Sequence, residues 1–136
     1  MATLKPSYGS KTAITITLNS LANGSVATSN AIDNSSNLYQ DALVEITISG
    51  TAATNAYCDV RLLVSEDNNT FSSWESAIKL GTVSLSATPN TGHFSINGVL
   101  GTMPKYWKIA VQNLTGAALA SSGNSASYQG INIISA

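Results

Sequence analysis

At 136 residues and 43% hydrophobic content, the chain is long enough for one domain to bury a core without metal or disulfide support. Charged residues make up 10% of it, against about 25% in ordinary domains. The net charge of −1, with Lys5, Lys11, Arg61, Lys79, Lys105 and Lys108 scattered along the chain, excludes the clustered basic face that nucleic acid or a membrane surface requires. The single cysteine, Cys58, excludes an internal disulfide.

Residues 1–10, "MATLKPSYGS", lack the apolar stretch of a signal peptide, which points to synthesis in the cytoplasm. Pro6 and Gly9 suit an extended path, and Leu4 and Tyr8 follow no alternation. The segment therefore reads as an extended N-terminal arm, with residues 11–136 as a single domain. Leu4 and Tyr8 are its expected anchors on a partner.

From residue 13 onward, apolar residues recur at every second position. "AITITL" sets Ile14, Ile16 and Leu18 on one face. Weaker strand character follows over Ser25 to Ala31. "LVEITIS" alternates Val44, Ile46 and Ile48 with Glu45, Thr47 and Ser49, and "CDVRLLVS" aligns Cys58, Val60, Leu62 and Val64. "SEDNN" (Ser65 to Asn69) has the Asp and Asn content of a tight turn. "SSWESAIKL" reads as an edge strand rather than a helical turn. "TVSLS", "HFSIN" and "YWKIAVQ" continue the alternation, the last aligning Trp107, Ile109 and Val111. The stretch from Tyr106 to Ile134 reads as one hairpin whose second strand covers Ser127 to Ile134. About eight short strands with Gly, Asn and Ser turns predict an all-β, two-sheet antiparallel sandwich. A jelly roll and an immunoglobulin-like arrangement both satisfy the pattern.

Chemistry-bearing groups are sparse, and the reading assigns no catalytic, metal or cofactor residue. His93 has neither a nucleophile nor an orienting acid near it in sequence. Cys58 falls on an apolar strand face, where cysteine acts as a small hydrophobe. "GNSAS" lacks the closing Gly of a nucleophile elbow. Glu66, Asp67 and Asn68 lack the spacing of a calcium loop. Asp41 and Glu45 share a strand face only if the strand starts early, and no acid in an evidently shifted environment accompanies them. Asn-x-Ser/Thr triplets at Asn23, Asn34, Asn68 and Asn113 are expected by chance in so Asn-rich a chain. Trp74, with Phe71 close by, lies in a polar segment and is the remaining candidate for a partner-binding or sugar-stacking surface.

Three stretches carry a resemblance: "NLYQDALV" (Asn37 to Val44), "NLTGAAL" (Asn113 to Leu119) and "GNSASY" (Gly123 to Tyr128). Together they resemble small structural proteins of tailed-bacteriophage virions. The resemblance implies a non-enzymatic capsid decoration or cement protein, a β-sandwich on the capsid surface. Its partner would be the major capsid protein or another virion protein, and such proteins are commonly homotrimers. A neck or tail component of the virion is an alternative of the same class. A carbohydrate-binding or adhesin module, which needs exposed aromatics in a groove, is an alternative of another class.

Overall fold

The computed structural model describes residues 3–135. Its strands, in chain order, are β1 (Leu4–Ala13), β2 (Val26–Thr28), β3 (Ile32–Asp33), β4 (Asp41–Ile48), β5 (Tyr57–Ser65), β6 (Ile78–Ser84), β7 (Asn90–Ser95), β8 (Tyr106–Asn113) and β9 (Ser125–Ser135). A short helix, α1 (Ile96–Leu100), follows β7. One sheet runs β1-β9-β4-β7, and the other runs β2-β8-β5-β6 with β3 also on β8.

The pairings are nested. β1 pairs with β9, β2 and β3 with β8, β4 with β7, and β5 with β6, all antiparallel. The chain is thus one long hairpin, closed by the β5–β6 connection and rolled into two facing sheets. This is jelly-roll connectivity, and it decides between the two sandwiches the alternation allowed. Between the sheets, Val44, Ile46 and Ile48 of β4 face Cys58, Val60 and Leu62 of β5 and Trp107, Ile109 and Val111 of β8, all buried. Each such aliphatic side chain contributes roughly 1.5–3 kcal/mol relative to exposure.

Several expectations change. Tyr106 to Ile134 is not a hairpin, because β8 and β9 lie in different sheets and the loop between them crosses the sandwich. Ile14 and Leu18 of "AITITL" are buried as the alternation requires, yet residues 14–18 form no ladder. They carry the chain from one sheet to the other, with single bonds from the Ile14 amide to Ala126 O and from the Asn30 amide to Thr15 O. "SSWESAIKL" is a single 3₁₀ turn, Trp74–Ser76, followed by the edge strand β6. In "HFSIN", Ile96 is buried from α1 rather than from a strand.

The boundary drawn at residue 10 is also corrected. β1 runs through it, and its ladder with β9 extends from Leu4 opposite Ser135 to Ala13 opposite Ser127. Met1 and Ala2 of the expected arm lie outside the described residues. No alternation was visible because β1 is an exposed edge strand, and a bulge between Tyr8 and Lys11 resets its faces. Pro6 is tolerated there because an edge strand leaves alternate amides unpaired.

Candidate functional site

The two ends of the sandwich differ in chemistry. At one end, residues 14–25, 49–56, 85–89 and 114–124 are stitched together. Ser20 N donates to Ala120 O (2.9 Å), Ala120 N to Ser49 O (2.8 Å), and Gly50 N to Thr88 Oγ1 (3.2 Å). Two asparagines act as hubs. Asn113, fully buried, donates from Nδ2 to Leu21 O and Ala117 O while its Oδ1 accepts from the Thr115 amide and hydroxyl. Asn124 accepts from Ser49 N at 2.7 Å and donates to Ala120 O and Asn19 Oδ1.

The opposite end is built from residues 34–40, 66–70 and 96–105, and it gathers exposed apolar side chains. Leu38 is 68% exposed at φ +53°, a left-handed conformation unusual for leucine. The buried Asn34 holds it there: its Oδ1 accepts from Tyr39 N (2.9 Å) and its Nδ2 donates to Tyr39 O (3.0 Å). Val99 of α1 is exposed nearby. Asp41 fixes α1 to β4, accepting from Ser95 Oγ at 2.7 Å and Asn97 N at 2.9 Å. Two clefts open between these loops, of about 620 Å³ beside Glu66 and Leu100 and about 600 Å³ beside Leu38 and Tyr39.

A two-stranded ribbon leaves the same end. β9 pairs with β4 only as far as Ile131, opposite Asp41, and beyond that point it pairs with β1 alone. Leu4, Pro6 and Tyr8 stand opposite Ser135, Ile133 and Ile131, so one face of the ribbon is nearly all apolar. Leu4 and Tyr8 are 68% and 63% exposed, and Ile133 is exposed beside them. The ribbon is anchored at its root by Tyr39, whose ring lies over Gly130 where any Cβ would collide with it.

Of the residues singled out by sequence, Leu4 and Tyr8 therefore lie together on this ribbon. Phe71 and Trp74 lie elsewhere, on the outer face of the second sheet, half-buried under cations. The Arg61 guanidinium is 4.1 Å from the Trp74 ring centroid and donates to Trp74 O, and Lys108 Nζ is 4.2 Å from the Phe71 centroid. Arg61 and Lys79 also flank the carboxylate of Asp59, at 3.3 and 3.5 Å. Asp59 lies between them and is buried.

The remaining candidates are accounted for locally. Burial pushes the Cys58 thiol up to about 11, so it is not a thiolate. In the turn after β5, hydrogen bonds from the amides of Thr70 and Asn69 and from Ser65 hold the Asp67 carboxyl below its usual range. Among the described residues, no group of three His, Cys, Asp or Glu side chains converges. His93 sits within β7, 3.8 Å from Glu45, which is bound more closely by Lys11 (2.6 Å) and Ser127 (3.1 Å). The Lys11 contact first, then Ser127, holds the Glu45 carboxyl below its ordinary range.

The quoted motifs now have physical roles. "NLYQDALV" supplies Leu38, Tyr39 and Asp41 to the apolar end. "NLTGAAL" and "GNSASY" supply Asn113, Gly116 and Asn124 to the stitched end, and Tyr128 packs edge-on against Trp107 at 5.3 Å. Leu38, Asn34, Ile133 and the cleft segment 102–105 were not foreseen. Asn34 in "DNSSN" was the one available signal, since Asn there favours side-chain-to-backbone bonds.

No protein-family profile matches the chain, and no curated protein matches it in sequence. Among solved structures it is similar to a chain of Desmodium yellow mottle tymovirus, with TM-score 0.45 and 14% identity over 100% of this chain and 89% of that one. It is also similar to a Xylanase10C variant from Cellvibrio japonicus in complex with xylopentaose. That match has TM-score 0.42 and 14% identity, and covers 100% of this chain and 28% of the other. At such identity neither likeness extends to a site or an activity.

Proposed function

We propose that the chain is a non-enzymatic structural protein of a bacteriophage virion, a capsid decoration or cement protein that stabilises the shell by binding the major capsid protein. The observation that carries this reading is the apolar end. Leu4, Tyr8, Leu38, Val99 and Ile133 are exposed around one pole of a jelly roll whose other pole is closed by hydrogen bonds. Exposed apolar groups gathered in this way mark a contact surface. The strained backbone at Leu38 is held by a dedicated buried asparagine, which fits a side chain kept ready for a partner. Low charge and neutral polar loops suit an assembly in which many copies each contribute a weak contact.

The reading is tested by mixing the purified chain with empty capsids, measuring co-sedimentation, and locating bound copies in a particle reconstruction. Density over the capsid lattice supports the decoration role. Density confined to the portal vertex or tail assigns a neck or tail component, and no particle binding at all overturns a virion role.

A further inference from the structure

The loop from Asn37 to Gln40, between β3 and β4, is held from three sides. Asn34 accepts from Tyr39 N and donates to Tyr39 O. Asn97 of α1 donates from Nδ2 to Gln40 O at 2.8 Å. Asn132 of β9 accepts from Gln40 N at 3.0 Å and donates to Asn37 O at 3.4 Å. The Leu38 amide donates to Asn34 O, and Gln40 N also reaches Ile131 O. Three carboxamides from separate parts of the chain are thus spent on one loop backbone. The loop is set before a ligand arrives, and binding there forfeits little ordering entropy.

This loop lines the second cleft, whose volume of about 600 Å³ falls within the ~300–1,000 Å³ of ligand sites. Leu38, Met103 and Pro104 give the cleft aliphatic surface. Gln40, Asn97 and Thr102 line it as well. The Gln40 carboxamide, Asn97 Oδ1 and the Thr102 hydroxyl have no hydrogen-bond partner among the described residues. Lys105 is the one charged side chain lining the cleft, and a single ammonium without a second cation or a guanidinium fork does not select an anion. An extended peptide is also poorly served, because the loop backbone has already spent most of its amides and carbonyls.

We propose that this cleft binds a short neutral oligosaccharide. A pyranose ring presents C–H groups that pack on aliphatic side chains and a rim of hydroxyls that both donate and accept. Carboxamides and a threonine hydroxyl offer the same two capacities in return. Tyr39, the one aromatic lining residue, is packed over Gly130, so the contact rests on aliphatic packing and hydrogen bonds and is weak. The inference does not require the virion reading. Leu38 belongs to both contacts, so a copy seated on a capsid through Leu38 holds no sugar.

The test is a titration of the isotope-labelled full chain with neutral trisaccharides of glucose, mannose, galactose and N-acetylglucosamine, followed by amide correlation spectra. At least one of them should shift the amides of residues 38–40 and 97–102, with a Kd of about 1 mM or tighter. Gln40→Leu combined with Thr102→Val removes two free polar groups at exposed positions and should weaken that binding by roughly tenfold. Glu66→Gln, in the neighbouring cleft, should leave it unchanged, and the spectra themselves show that each variant folds. Four trisaccharides without effect, shifts confined to other parts of the chain, or binding untouched by the double substitution overturns the proposal. So does an equal loss in Glu66→Gln. Binding of a glucuronate trisaccharide alone would assign the cleft to an anion on Lys105, and the proposal fails. Because the titration uses the chain by itself, its failure leaves capsid binding standing, and a chain that ignores capsids can still bind sugar.

Discussion

Single side chains in this molecule mostly serve packing and loop geometry, and their replacement should register as stability. Cys58 lies in a closed apolar layer, so Cys58→Ser buries a hydroxyl without an evident partner and should cost about 1–3 kcal/mol in urea unfolding. Asn113→Ala removes its bonds to the Leu21 and Ala117 carbonyls and from the Thr115 amide and hydroxyl, a loss of similar size, about 1–3 kcal/mol. Glu45 gives a pH signature. Its carboxyl titrates lower in the folded chain than in the unfolded one, chiefly because of Lys11, so its contribution is fully present above the ordinary glutamate range. That contribution is lost as pH falls through the folded value. Between about pH 6 and about pH 3 the urea midpoint of the native chain should therefore fall further than that of Glu45→Gln. Equal declines would remove the Lys11–Glu45 contact from the account.

At the scale of strands, what could be read depended on burial. β4, β5 and β8 each have one face in the core, so Val44, Ile46 and Ile48 or Trp107, Ile109 and Val111 announce themselves by alternation. β1 buries almost nothing on either face and carries a bulge, so its ten residues left no periodic trace. Alternation also says nothing about which sheet a strand joins. The loop after Asn113 has turn chemistry suited to a hairpin, yet it links β8 to β9 across the sandwich because each of them already pairs with an earlier strand. The apolar end was legible only through Leu4 and Tyr8, since Ile133 is brought beside them by long-range pairing and Leu38 is exposed by a local turn. Treating β1 as a strand changes the expected result of truncation. Deleting residues 1–10 removes the partners of Ile131 to Ser135 and the Gln129 contact to Gly9 O, and should cost about 1–3 kcal/mol rather than nothing. An unchanged thermal midpoint would return those residues to the status of a loose arm.

For the whole molecule, the asymmetry between its two ends is the property from which a function follows. Exposed apolar residues occur at both ends, since Val26 and Tyr57 lie near the stitched one, so exposure alone does not single out a contact surface. What distinguishes the apolar end is convergence: a ribbon face, a strained leucine and two clefts lie within one pole, the leucine and the ribbon root each fixed by hydrogen bonds. The ends can therefore be compared with equal chemistry. Leu38→Glu and Ile133→Glu place carboxylates at the apolar pole, and Val26→Glu and Tyr57→Glu place them at the other. All four sites are exposed, so folding stability should change by no more than about 0.5 kcal/mol in any of them. Capsid binding should weaken by about tenfold or more for the first pair, because a desolvated charge is introduced into the contact, and stay unchanged for the second. Equal losses at both poles would mean that the chain is gripped from all sides. Loss only at Val26 and Tyr57 would invert the assignment and make the ribbon and clefts the outward-facing end.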